Sequence, residues 1–219
     1  MAKINSSIDN ILDSMHKNRG VDKGSVGEQA VFKICEKFYQ SEGGILVHSY
    51  THKVDKEQKG NIKRGENGEP YTENLGDITE IDILYISKYR IFPIEVKAYR
   101  AKQITLDDKG IYGCYKTDKS PIHQNEMHCR HFYSFMYRAL TKGNTDFIVP
   151  IVCMVDKCQI IDNRSDWQKD YIHLCVLNTL EDTIRKFNTP IGYQMDLVLC
   201  DNLLKEGMIK SETYLPPRM

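Results

Sequence analysis

Two short apolar runs carry charges that are expensive to bury. Glu80-Ile81-Asp82-Ile83-Leu84-Tyr85-Ile86 holds carboxylates in a β-type pattern, and Ile91-Phe92-Pro93-Ile94-Glu95-Val96-Lys97 ends on a carboxylate and an ammonium. Side chains alternate faces along a strand, so Glu95 and Lys97 share one face and Val96 takes the other. Ionised groups in such a setting need partners. If the runs form an antiparallel hairpin turning near Lys88-Tyr89, Asp82 and Glu95 stand opposite each other. Carboxylates that close raise one another's pKa unless a cation lies between them. Hard oxygen donors favour Mg²⁺ or Mn²⁺, and Mg²⁺ binds through one or two carboxylates plus waters and phosphate. Lys97 is then placed to orient or deprotonate an attacking water, or to face charge developing on a phosphate. The same spacing equally fits a buried salt bridge in which Lys97 neutralises Glu95 or Asp82.

The elements that must position these groups follow from periodicity. Ile8, Ile11, Leu12 and Met15 have the spacing of an amphipathic helix over 6–15, and Val26, Ala30, Val31, Ile34 and Phe38 that of a second over 25–39. Gly43-Gly44 ends it, and Ile45–Tyr50 reads as a first strand. Residues 51–76 are polar, charged and glycine-rich, a surface insertion that fits a tolerated loop or a substrate-contacting flap. Strands are predicted over 79–87 and 90–99, with shorter ones at 103–106 and 111–116. Ser120-Pro121 supplies a cap and a first-turn proline for a helix to Leu140, with Phe132, Phe135, Met136, Ala139 and Leu140 inward. Strands at 147–155 and 171–176 follow, then a helix to Phe187 capped by Asn178-x-x-Glu181, and a last helix between Tyr193 and Lys205. That order gives an α/β domain around a mixed sheet.

Composition narrows the classes. A chain of 219 residues, 41% hydrophobic, suffices for one domain with a substantial core and at most a small appendage. The longest apolar stretch, Phe147–Val155, is too short for a bilayer and contains Pro150. Acidic residues interrupt the N-terminus where a secretion signal needs an apolar run. Seven cysteines without a Cys-x-x-Cys spacing read as reduced thiols in a cytoplasmic protein. Thirty basic against thirty acidic residues exclude a strongly basic nucleic-acid wrapper, yet 86–142 holds eleven Lys and Arg against five Asp and Glu. That basic middle is either a face for a polyanion or an ordinary fluctuation of charge.

Other signals weigh less. His123, His128, Cys129 and His131 share one predicted helix, but no second pair with ligand spacing stands near, so solvated or core-edge histidines are preferred over a zinc site. No cysteine has the basic surroundings or helix start that a thiolate nucleophile needs. Tyr99, Arg100, Lys102, Tyr112, Tyr115, Lys116 and Lys119 interleave aromatics with cations, which suits backbone contact and base stacking and equally suits a half-exposed sheet. Glu80 reads as a solvated edge residue in preference to a further ligand.

The order Asp82, twelve residues, Glu95-Val96-Lys97 resembles the catalytic core of PD-(D/E)xK nucleases, and in detail the nuclease-related domain, NERD. Lys23-Gly24-Ser25-Val26-Gly27-Glu28 resembles that family's Gly-x-x-Gly-Glu motif, and the apolar run from Ile91 its Glu-x-Lys strand. Ser120-Pro121-Ile122-His123-Gln124-Asn125 resembles its Pro-x-x-Gln motif. The likeness covers residues 23–187. Ile81 departs from it, standing where the superfamily has proline, and Arg90 stands where a turn glycine is usual.

The resemblance implies a restriction-endonuclease-like α/β core, a central mixed sheet with an antiparallel meander flanked by helices, over residues 21–190. Residues 1–20 would form a helical segment and 191–219 a C-terminal helix and tail. It further implies metal-site carboxylates at Glu28, Asp82 and Glu95, a Val96 carbonyl ligand, a catalytic lysine at Lys97, and an accessory active-site residue at Gln124. The expected cofactor is Mg²⁺ or Mn²⁺, and the expected partner is nucleic acid, DNA ahead of RNA, with no membrane. Such a protein would act alone, as a homodimer or with a separate targeting subunit. The rival reading is a non-catalytic nucleic-acid-binding or assembly module that kept the fold. A weaker third is a phosphodiesterase on small nucleotides.

Overall fold

Ala30, Val31, Ile34, Cys35 and Phe38 recur at helical spacing and form the buried stripe of helix α1 (Lys23–Glu42). The computed structural model describes residues 23–53, 63–64, 70–71, 78–99, 101–113, 120–136, 147–155, 158–190, 192 and 194–219. The helix expected over 6–15 lies outside them. A left-handed Gly43 (φ 79°) ends α1 and donates its N–H to the Tyr39 carbonyl.

Strand β1 (Gly44–Lys53) follows, then the short pair β2 (Lys63–Arg64) and β3 (Pro70–Tyr71), then β4 (Ile78–Ile86) and β5 (Ile91–Lys97). β6 (Gln103–Asp107) and β7 (Gly110–Tyr112) lead to α2 (Pro121–Met136), β8 (Ile151–Met154) and β9 (Gln159–Asp162). Helix α3 (Asp166–Tyr171), β10 (His173–Val176), α4 (Leu180–Phe187), α5 (Leu197–Gly207), β11 (Met208–Lys210) and β12 (Thr213–Arg218) complete the chain.

The central sheet runs β10-β8-β5-β4-β1-β11, with β12 also on β1. β10, β8 and β5 are parallel, and every other pairing in it is antiparallel. The fold is therefore mixed α/β with a central mixed sheet flanked by helices, as expected. One face packs α1 and α4 through Val31, Phe38, Ile83, Phe92, Ile94 and Ile184. The other packs α2 and α5 through Leu84, Ile91, Phe132, Met136 and Leu204. A smaller sheet, β7-β6-β9, covers a third cluster around Tyr99, Ile104 and Val152. Among the described residues no helix is long and apolar enough to cross a membrane.

Several expectations are corrected. The insertion predicted from residue 51 starts later, because Thr51 and His52 are buried in β1. Most of the remaining insertion, residues 54–62, 65–69 and 72–77, lies outside the described residues. The strand expected over 147–155 is regular only over 151–154. Periodicity missed β9 and α3, which are short and half-exposed. Asn178 is not a cap: it lies in the 3-10 turn Leu177–Thr179, and α4 starts at Leu180. The expected C-terminal tail is a strand pair on β1, and α5 is capped by Asp196, whose carboxylate accepts from Val198 N and Leu199 N at 3.0 Å each.

The missing turn glycine is compensated by Ser87. Its buried hydroxyl oxygen accepts the N–H groups of Tyr89 (3.1 Å) and Arg90 (2.9 Å), so the hairpin closes without a positive φ at Arg90. Gly27 matters through proximity. A Cβ there would lie 2.6 Å from Cγ2 of Val155, a buried branched side chain just past β8. Gly27→Ala is expected to lower stability by about 1–3 kcal/mol, read as a lower urea midpoint, because α1 must lift off the sheet end.

Candidate active site

The hairpin register is the one the spacing predicted. Ile83 pairs with Ile94, Leu84 with Pro93, Tyr85 with Phe92 and Ile86 with Ile91. One step further, Asp82 and Glu95 stand opposite, and there the ladder stops. β4 continues on β1, while β5 turns to β8, pairing Glu95 with Val152 and Lys97 with Met154. The fork leaves the Val96 N–H without a strand partner, and the Asp82 carboxylate accepts it at 2.7 Å. A strand residue sends its C=O off the same edge as its N–H, so the Val96 carbonyl also faces the fork.

Glu95 is 1% exposed. Removing a carboxylate from water costs several kcal/mol unless charges nearby offset it. Two side chains lie against it: Lys97 Nζ is 2.5 Å from Oε1, and the imidazole Nδ1 of His128 on α2 is 3.3 Å from Oε2. Neither contact has hydrogen-bond geometry, so both carboxylate oxygens keep acceptor capacity. Burial alone would raise the Glu95 carboxyl, but His128 and Lys97 outweigh it and hold its pKa below the usual value. Asp82 goes the other way. Burial, and then the charge of Glu95, push it up to about 8 against the opposing pull of the Val96 N–H and Lys97. The two carboxyls are thus driven apart in proton affinity, Asp82 upwards and Glu95 downwards.

Glu28, in the second turn of α1, points to β1. Its Oε2 lies 3.5 Å from His48 Nε2, and its charge contributes to raising Asp82. Gln124 is half-buried in the first turn of α2, four residues before His128 on the same helix stripe. The structure thus gathers Asp82, Glu95, Val96 and Lys97 at the fork, with Glu28 approaching from the α1 face. Gln124 comes from the α2 face, on the helix stripe that also carries His128.

Among the described residues no group of three or more His, Cys, Asp or Glu converges closely enough to hold a metal ion by itself. The donor set still suits Mg²⁺ or Mn²⁺ completed by water and phosphate. The half-buried Asp82, whose carboxyl is pushed towards its protonated form, lies beside the buried Glu95, and both Glu95 oxygens lack a hydrogen bond.

A family model described as the nuclease-related domain, NERD, matches residues 23–155, more than half of the chain. The chain belongs to the nuclease-related domain family. No curated protein and no solved structure matches it. The NERD match contains Glu28, Asp82, Glu95, Lys97 and Gln124 and ends before β9, α3, β10, α4, α5, β11 and β12. Membership suggests a nuclease-related function and interaction with nucleic acid.

His128 is the residue that sequence reasoning set aside. It entered only as a zinc candidate, although its four-residue spacing from Gln124 was a usable signal. The other histidines and the cysteine of that helix diverge: His123 is exposed, His131 is buried, and Cys129 donates to Asn125 Oδ1 at 3.3 Å. Asn125, also unanticipated, ties α2 to β8 through the Ile151 carbonyl at 2.8 Å. The Ser120 hydroxyl makes no hydrogen bond, so only its backbone carbonyl serves the helix start, accepting from Gln124 N. Tyr99 is buried in the third cluster and is withdrawn as a stacking residue, whereas Lys102 and Tyr112 are exposed. Arg100, Tyr115, Lys116 and Lys119 lie outside the described residues. Glu80 is exposed. His128→Ala is expected to destabilise the metal-free protein by about 1–3 kcal/mol in urea unfolding, since the buried Glu95 carboxylate loses one of the two nitrogens beside it.

Proposed function

We propose that the protein is a nuclease that hydrolyses phosphodiester bonds of nucleic acid, DNA in preference to RNA, by a PD-(D/E)xK mechanism with Mg²⁺ or Mn²⁺. The observation that carries this reading is the pairing of two carboxylates, the buried Glu95 and the half-buried Asp82, beside Lys97 where β4 and β5 part. Asp82, Glu95, the Val96 carbonyl and Glu28 are the residues that would hold the ion. When bound, it polarises the phosphate and eases ionisation of the attacking water. Glu95 brings a permanent negative charge, kept by Lys97 and His128. Asp82 would lose its proton to solvent on binding a cation, so binding would tighten as pH rises towards 8. Lys97 projects from the same strand face as Glu95 and is about a quarter exposed, so it can turn from Glu95 to charge developing on the phosphate. Gln124 assists from the start of α2.

A single observation favours the rival binding or assembly module: Lys97 and His128 already balance Glu95 without an ion. One experiment separates the two. Wild type, Glu95→Ala and Lys97→Ala are incubated with plasmid, linear and single-stranded DNA and with RNA, in Mg²⁺ or Mn²⁺ and in chelator. Metal-dependent cleavage by wild type alone supports the nuclease. Cleavage unchanged in both variants sinks the site, and binding without cleavage supports the module.

A further inference from the structure

We propose that His48 and Glu212 are positioning residues for Glu28, which makes the C-terminal strand pair part of the candidate metal centre. This rests on the reading above that Glu28 holds the ion. His48 is buried, its ring 5.4 Å from that of Phe32 and tilted against it, which fixes it on the α1 side of β1. Its two nitrogens face two carboxylates, Nε2 towards Glu28 Oε2 at 3.5 Å, a contact without hydrogen-bond geometry, and Nδ1 towards Glu212 Oε2 at 3.2 Å. Asp82 of β4 is the remaining charged group that acts on it.

The backbone around His48 is built for this placement. Ser49 has φ 54°, the one left-handed non-glycine among the described residues, and lies across from Asp82 between the pairs His48–Ile83 and Tyr50–Ile81. Strict alternation would put His48 and Tyr50 on one face. Instead Tyr50 joins Val47 in the core beneath α2 and α5, and His48 is left facing α1. A left-handed serine in a central strand is strained, and such strain concentrates at functional sites.

The C-terminal strands close the brace. Glu212 N donates to the His48 carbonyl at 3.0 Å, and Thr213 pairs with His48. These residues lie outside the family match. Glu28 is free about several rotatable bonds, and the rigid imidazole removes that freedom before an ion arrives. Glu212 is 64% exposed, so its own charge counts for little and its effect is chiefly to fix the ring.

The test is Mn²⁺ affinity of the full chain by isothermal titration calorimetry, with thermal midpoints measured alongside. His48→Leu is expected to weaken Mn²⁺ binding about 10-fold or more. His48→Gln, which keeps a donor towards Glu28, should recover part of the loss, and Glu212→Gln should lose about 1.5- to 5-fold. The losses from His48→Leu and Glu28→Gln should not add when combined, which a merely structural histidine would not produce. Unchanged affinity in His48→Leu and Glu212→Gln, or full additivity with Glu28→Gln, overturns the proposal. If His48→Leu does not fold, the His48→Gln and Glu212→Gln affinities decide. Wild type that binds no Mn²⁺ overturns the metal-site reading itself, and this inference with it.

Discussion

Glu95→Ala is expected to abolish metal-dependent cleavage, and Lys97→Ala to slow it by roughly 10²- to 10³-fold, the scale of losing one preorganised charge partner in a reacting site. The two effects differ because the residues do different things. Glu95 supplies the buried carboxylate whose charge Lys97 and His128 favour, and without it an incoming cation meets only Asp82 and Glu28. Lys97 acts on the substrate side, so its loss leaves ion binding possible. Initial rates of supercoiled-plasmid nicking measure both. Stability must be followed in parallel, since truncating one member of a buried charge pair can cost about 3–5 kcal/mol. For Glu95→Ala the loss should be smaller, because Lys97 is close enough to the surface to extend into water. Glu95→Gln, which keeps the shape, separates lost chemistry from lost fold. A Glu95→Ala enzyme with wild-type rates and metal dependence would refute the assignment.

Much of the frame was legible because period and register are strong signals. The apolar stripe of α1 and the buried runs of β4 and β5 each follow from sequence pattern, and the pairing of Asp82 with Glu95 followed once the turn was centred near Lys88-Tyr89. How the turn closes without a glycine was not legible, since Ser87 closes it with a hydroxyl that composition does not reveal. Tertiary pairing was hidden. Nothing local in Met208–Lys210 or Thr213–Arg218 distinguishes a strand from a tail, because what makes them strands is β1, more than 150 residues away in sequence.

The site was legible where it is local and opaque where it is not. Glu95 and Lys97 are two residues apart on one strand, so alternation alone places them together. His128 reaches Glu95 across the interface between α2 and the sheet, and Glu212 reaches Glu28 only through His48. The face reversal at Ser49 defeats alternation itself, so that β1 offers His48 to one layer and Tyr50 to the other.

Asp82→Asn is expected to stabilise the metal-free protein while removing its activity. The Asp82 carboxyl, pushed up to about 8 by burial and by Glu95, keeps in the folded state a proton that the unfolded chain loses near 3.8. A raised folded pKa contributes stability that is fully present below the unfolded value and is lost as pH rises to the folded one. Wild-type stability should therefore fall between about pH 4 and 8 and level off above that. Asparagine carries no proton to lose and still offers an oxygen to the Val96 N–H. The variant's advantage should thus be absent near pH 4 and largest above pH 8, at least ~2 kcal/mol, or about 4–8 °C in Tm. Glu95, whose pKa is lowered, works in the opposite sense below about 4.5, so the comparison is best read from pH 5 upwards. Mn²⁺ should raise the wild-type Tm increasingly with pH and leave the variant unmoved, because the free energy stored in the repelling pair is what an incoming cation releases. Melting temperatures of the two proteins that run parallel from pH 5 to 9 would show that Asp82 is ionised without help, and that the fork is a settled salt bridge in no need of an ion.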